Sequence, residues 1–302
     1  MALDTTAHDI YRGTSGIALP LEIANEIWAN AQEASSVMQL AQRIDLPGRG
    51  LTIPVITADP TAAWVAESTE KAVSNSTFSS KTMKAYKLAA IELVSNEFMR
   101  DLPRLYDELI RRLPGAIAKK FDETVYNGVT PGTGFDVLTS VTAVNIEDTA
   151  QTTTYQQLVS VLETLAAAGY DLTGWALSAQ GRAKLLGAVD TTGRPIFTPG
   201  ITEDAITRLL GAPVVNAQAT YKVGSASPAT DNVVGFAGDW TKARYGIVGA
   251  IDISISDQAT INDGTKQVNL WQRNMTAIRV EAEMGFVADT SAFVRLGTDY
   301  SA

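Results

Sequence analysis

The chain has 302 residues, 45% of them hydrophobic and 19% charged, which is enough apolar surface for one large domain or two. It contains no cysteine and one histidine, His8, which excludes disulfides, cysteine-zinc sites and thiol catalysis and leaves a lone terminal histidine without co-ligands. The formal net charge is −9, the wrong sign for a protein whose main work is to neutralise phosphates.

Residues 1–16 read as an N-terminal arm, with Asp4 and Asp9 where an export signal would carry Lys or Arg. That points to a soluble protein made in a cytoplasm. Pro20 suits a first helical position, and Leu21, Ala24, Ile27, Trp28 and Ala31 follow helical spacing. Pro47-Gly48-Arg49-Gly50 breaks that pattern before Leu51-Thr52-Ile53-Pro54-Val55, which reads as a strand. Residues 58–78 are rich in Ala, Ser, Thr and charge without a period, as expected of a long hairpin tip, and loops of that length are usually functional. The next helix is predicted from Pro103 to Asn127, with Asp101 placed to cap it and Leu105, Leu109, Leu113, Ile117, Phe121 and Val125 recurring every fourth residue. Pro114 falls inside this run and is expected to kink or divide it.

A second unit begins near residue 136. Thr154 with Gln157 is read as a capping box for a helix carrying Leu158, Val161, Leu162 and Leu165, closed by Gly169. Ser178 caps another helix through Leu186, and Glu203 to Leu210 reads as a short helix ended by Gly211 before a strand at Val214-Val215. Residues 222–232 look like polar linker. The remainder is strand: Tyr245, Ile247, Ile251, Ile253 and Ile255 share one face, as do Ile278, Val280, Ala282, Met284 and Phe286, opposite Arg279, Glu281 and Glu283. The class is α+β.

The chain offers little to a reaction. Hydrolytic triads need a base beside the nucleophile, and no paired-histidine, P-loop or dinucleotide spacing is present. The glycine-rich loop Asn127–Gly134 lacks a Gly-Lys-Ser/Thr ending and follows a helix instead of opening one, so it reads as a helix-ending turn. Carboxylate pairs (Glu92 with Glu97, Asp122 with Glu123, Glu281 with Glu283) read as solvated faces. Lys71, Lys81, Lys84 and Lys87 read as solvated or salt-bridging lysines. Trp64, Trp175, Trp240 and Trp271 read as core or interface anchors.

Several segments taken in order carry a resemblance. They are Ala63-Trp64-Val65-Ala66-Glu67, the polar stretch to Phe78, the lysine-bearing run to Leu88, Ser95-Asn96-Glu97-Phe98, Trp271 to Glu281, and Asp289 to Leu296. Together they resemble the major capsid proteins of tailed bacteriophages, the HK97-like shell fold. The resemblance implies a hairpin loop over residues 50–90, after a helical segment at 17–49. It implies a peripheral domain with a spine helix over 91–135 and 231–302, and an axial domain over 136–230. It implies a virion shell of hexamers and pentamers that encloses double-stranded DNA without reading its sequence. Assembly would take place in a bacterial cytoplasm, served by a scaffold or maturation protease and a portal protein, with no cofactor, metal or membrane. Trp64, Glu67, Lys71, Lys81, Lys84, Lys87, Arg273, Arg279 and Glu281 become candidate contacts between subunits. Some relatives weld their shells through a lysine and an asparagine assisted by a glutamate, and Lys71, Asn274 and Glu281 stand at the matching positions. The competing reading of those three is structural. An encapsulin-type compartment keeps the same fold with another use, and a soluble enzyme or ligand-binding protein is the rival from a different class.

Overall fold

The computed structural model describes residues 35–299 except 49, 59–61, 63, 66–69, 72, 74–76, 98–102, 148–152, 190–193, 195, 198–206, 228 and 263–266. The arm, the helix expected from Pro20, the cap at Asp101 and Glu67 lie outside the described residues. The first half holds helix α1 (Ser36–Leu40) and strands β1 (Gln42–Asp45), β2 (Leu51–Ala58), β3 (Thr77–Met83) and β4 (Tyr86–Ser95). Helix α2 (Pro103–Asn127) and strand β5 (Thr142–Asn145) follow, then helix α3 (Thr154–Ala167), β6 (Gly174–Leu177) and helix α4 (Ala179–Leu186). Next come β7 (Arg208–Leu209), β8 (Ala212–Asn216), β9 (Ser225–Ala226), β10 (Ala229–Thr230) and β11 (Asn232–Gly238). The chain closes with β12 (Ala243–Ser256), β13 (Thr260–Asn262), β14 (Gln267–Asn269), β15 (Met275–Ala288) and β16 (Phe293–Thr298).

Two sheets organise the chain. A four-stranded sheet runs β1-β12-β15-β4, and a six-stranded sheet runs β5-β16-β11-β6-β8-β7. Strands β11 and β16, both from the C-terminal third, therefore lie in the second sheet beside β5 and β6. Helix α2 is one element through Pro114, which does not divide it. A proline removes a single backbone donor, which one long helix can lose without breaking. The inner end of that face, Ile117, Phe121, Val125 and Tyr126, packs on Ile278, Val280, Met284 and Phe286 of β15. Tyr126 also stacks on Phe236 of β11 with centroids 5.1 Å apart, so one helix serves both sheets.

The second core lies on the opposite face of the six-stranded sheet. Leu158, Val161 and Leu165 of α3 meet Trp175, Leu177, Val234, Val294 and Leu296. With cover on both faces, every residue of β11 is buried. Trp175 and Trp240 are core residues whose indole N–H groups donate to the carbonyls of Leu209 and Gly174.

Three local expectations change. The cap of α3 is Thr153 with Gln156, one residue earlier than read, because Thr-x-x-Gln occurs in two adjacent registers. Thr154 is instead buried, its hydroxyl donating to the carbonyl of Ile146 at 3.0 Å. Arg208–Leu209 is strand, not the end of a helix: Leu210 (φ 47°) and Gly211 (φ 85°) make a two-residue turn that pairs β7 with β8. Residues 222–232 are not plain linker, since β9 and β10 pair and Lys222 bridges Val233. In β12 the ladder to β15 slips between Val248 and Asp252, at Gly249 with φ 67°. The slip spans four residues on β12 and two on β15. An even difference keeps Tyr245, Ile247, Ile251 and Ile253 on one buried face.

Candidate functional site

The candidate residues gather around two places, the β2–β3 hairpin and the outward face of the four-stranded sheet. Strands β2 and β3 pair antiparallel with each other and, among the described residues, with no third strand. The loop they carry presents Trp64 fully exposed and Val73 at 89%. Lys71 on the same loop is also exposed.

At the base of the hairpin the chain is tied down. Lys81 Nζ lies 2.7 Å from Asp136 Oδ2 and donates to the carbonyl of Ala288 at 2.6 Å. Asp136 Oδ2 also accepts the Ala288 N–H at 3.0 Å, and the Asp136 N–H donates to Phe286 at 2.9 Å. Met83 is fully buried, seated where Gly246 and Gly285 stand opposite each other across β12 and β15. A Cβ on Gly246 would lie 2.2 Å from Leu46 Cδ1, and one on Gly285 would lie 2.7 Å from the Lys84 carbonyl. The two glycines make the socket. The Lys84 N–H donates to the Gly134 carbonyl at 2.8 Å, while the Lys84 side chain is exposed and forms no ion pair with a described residue.

On the sheet face, charged neighbours along β15 and across to β4 form a ladder. Lys87 Nζ is 3.3 Å from Glu283 and 3.9 Å from Glu281. Arg279 Nε is 3.4 Å from Glu281 and donates to Ser254 Oγ at 3.1 Å. These pairs are half exposed, so each adds at most about 1 kcal/mol.

Asn274 sits in a left-handed turn (φ 53°) that launches β15. Its amide donates to Glu97 at 2.7 Å and its carbonyl oxygen accepts from Asn96 at 2.8 Å. Glu281 lies seven positions further on, about 20 Å away at strand rise. Asn274 and Glu281 of one chain therefore do not converge on a common lysine. Arg273 and Trp271 are exposed beside Asn274, the tryptophan at 75%.

The carboxylate reading needs one correction. Asp122 is not on a solvated face; it is 3% exposed. It accepts from Ser35 Oγ at 2.5 Å and from both the N–H and the hydroxyl of Ser36 at 2.7 Å, and Ser36 Oγ reaches the Tyr126 hydroxyl at 3.0 Å. Burial pushes its carboxyl above the ordinary aspartate value, and the three donors hold that rise back. Burial, and after it the charge of Asp122, also raise the Tyr126 hydroxyl well above its usual range. At Asp289, burial works upward, but hydrogen bonds from Tyr170 and Ser291 and the charge of Lys81 carry the carboxyl below the usual range. The bond to Asp289 pushes Tyr170 up to about 12.

Sequence reading missed Asp122, Asp136, Met83 and the Gly246–Gly285 pair. Only the glycines left a trace, as interruptions in strands of otherwise apolar alternation. An open cleft of about 700 Å³ lies elsewhere, between α2 and residues 218–222, lined in part by Lys119, Lys120 and Lys222. Among the described residues no cluster of His, Asp and Glu is arranged to hold a metal, and no helix is long and apolar enough to cross a membrane.

Comparison with known proteins gives this geometry a context. The family model described as "Phage capsid family" matches residues 15–297. The "Probable major capsid protein gp17" of Mycobacterium phage L5 is 35% identical over 289 residues, covering 91% of this chain and 87% of that protein. The protein of the same description from Mycobacterium phage D29 is 31% identical over 283 residues, covering 91% and 88%. A solved structure from Mycobacterium phage Cain superposes with a TM-score of 0.73 over the whole of both chains at 21% identity.

Proposed function

The chain belongs to the phage capsid family, and from that premise we propose that its work is geometric: it is the major capsid protein of a tailed bacteriophage, with an HK97-like fold, and many copies build the virion shell. The observation that carries the reading is the hairpin. Among the described residues strands β2 and β3 pair only with each other, and their loop offers Trp64, Val65 and Val73 to solvent. Large apolar side chains left exposed on a projecting element call for a partner. A second copy of the chain is the partner that a closed, symmetric shell supplies.

The finer picture extends this. Copies assemble as hexamers and pentamers, with residues 136–230 as the axial part and residues 91–135 and 231–302 as the peripheral part. Strands β11 and β16 reach from the latter into the axial sheet. Assembly takes place in the cytoplasm of a bacterial host with a scaffold or maturation protease and a portal, and the shell encloses double-stranded DNA. The net charge of −9 supports a wall that contains DNA without gripping it.

Lys81, Lys87, Arg279 and Glu281 already have partners inside the chain, which leaves Trp64, Lys71, Lys84 and Arg273 as the favoured candidate contacts between copies among the described residues, with Glu67 outside them. We take Asn274 and Glu281 as structural groups, because the Asn274 amide is engaged on both sides by Asn96 and Glu97. Negative-stain electron microscopy of the purified chain, alone and with a scaffold, tests the reading. Rings, tubes or closed shells are expected. A chain that stays monomeric under both conditions and at high concentration would count against it.

A further inference from the structure

The hairpin joins the body at one knot, and that knot has an unusual composition. Three elements meet there: the end of β3, the end of β15, and the glycine-bearing loop that follows α2. Lys81 is the only ion-paired cation of the knot among the described residues. Its ammonium takes the Asp136 carboxylate at 2.7 Å and the Ala288 carbonyl at 2.6 Å together. Asp136 in turn holds the backbone of β15 at Phe286 and Ala288. One turn of chain further on, the Lys84 N–H bonds to Gly134 and the Tyr86 hydroxyl donates to the Thr133 carbonyl at 2.9 Å. Gly132 abuts that tyrosine so closely that a Cβ would lie 2.3 Å from its oxygen. The glycine-rich loop that ends α2 is thus also a cradle for the hairpin's own base.

A pair whose side chains remain 39% and 26% exposed adds little to folding stability. What it does fix is direction. Met83 in its glycine socket is an apolar pivot, which restrains position but leaves rotation soft. The Lys81 bonds lie off that pivot and restrain rotation. Strand β2 has eight residues, so the hairpin reaches about 25 Å from its base at normal strand rise. A swing of about 10° at the base therefore moves the tip by about 4 Å, more than close-packed side chains tolerate.

We propose that Lys81 and Asp136 are positioning residues for assembly: their clip sets the angle at which the hairpin leaves the body and so the place where its loop meets the next copy. The clip acts within one chain, and only its consequence in the shell rests on the reading of the protein as a capsid subunit.

The absence of cysteine makes a direct test simple. Spin labels are attached at Val73→Cys on the loop and Lys119→Cys on α2, both exposed positions. Pulsed dipolar spectroscopy then reads their distance distribution in the unassembled chain. Lys81→Met and Asp136→Asn, each in that background, are expected to broaden the distribution at least twofold with an unchanged melting temperature. Lys81→Arg is expected to restore the parental width. An unchanged width in both variants overturns the proposal. So does broadening that comes with a lower melting temperature in both and is not reversed by arginine, since that marks a purely structural role. In assembled material the two variants are expected to give shells of mixed diameter. A parent chain that forms no shells would count against the capsid reading while leaving the spin-label result standing.

Discussion

Asp122 shows how a single residue ties the beginning of the described chain to its long helix. Three donors from Ser35 and Ser36 converge on one buried carboxylate, and helix α1 starts at that point. Replacing Asp122 by alanine strands those donors, at roughly 1–3 kcal/mol for each one left unpaired. Chemical denaturation of the unassembled subunit should register a loss of that order. The pH dependence has a definite sign. Because burial raises the folded-state pKa above the ordinary aspartate value, the proton-linked contribution is fully present below that ordinary value. It is lost as pH rises through the raised pKa. Asp122→Asn should flatten this part of the stability–pH curve from about pH 4 upward, and a curve unchanged by the substitution would mean the carboxyl does not titrate there.

Among the elements, the hairpin depends on what lies beneath it. Its pivot, Met83, fits because Gly246 and Gly285 face each other with no side chains between. Gly285→Ala would push a methyl group to 2.7 Å from the Lys84 backbone carbonyl, an atom that cannot rotate away. Overpacking of this kind costs about 1–3 kcal/mol. The expected outcome is a destabilised subunit and faster amide exchange in β3, measured by hydrogen exchange with mass spectrometry. Faster exchange confined to β15, with β3 unaffected, would contradict the pivot. The same positions explain why β12 and β15, rich in apolar alternation, carry glycines at matched register instead of the β-branched residues a sheet otherwise favours.

At the scale of the whole molecule, two sheets share one helix, and exposed large apolar side chains sit on the hairpin loop (Trp64, Val65, Val73), beside Asn274 (Trp271) and at scattered positions such as Val129 and Val223. That distribution suits a subunit whose contacts lie with other copies. If the shell is held by non-covalent contacts, denaturing gels of assembled particles should show a single subunit band, both in the parent and in Lys71→Arg. A ladder in the parent that disappears in Lys71→Arg would establish a covalent weld and overturn the structural reading of Asn274 and Glu281.

What the sequence determined by itself was local and periodic. Helix α2 was legible to its ends, because an apolar residue every fourth position needs one helix face and Gly128 stops it. The alternating faces of β12 and β15, the Ser178 cap and the Gly169 stop were legible for the same reason: each is set by neighbours within a few residues. The α3 cap slipped by one position because two threonines offered equal local chemistry, and only burial against Ile146 chose between them. The turn at Leu210–Gly211 was hidden because leucine rarely takes a positive φ and is forced there by pairing of β7 with β8. The knot at the hairpin base was out of reach altogether. Lys81 meets Asp136 and Ala288, Met83 meets two glycines, and Asp122 meets Ser35 and Ser36, all from segments distant along the chain. Such contacts exist only once the sheets close on the helix, since the energy that selects them comes from packing and not from local spacing.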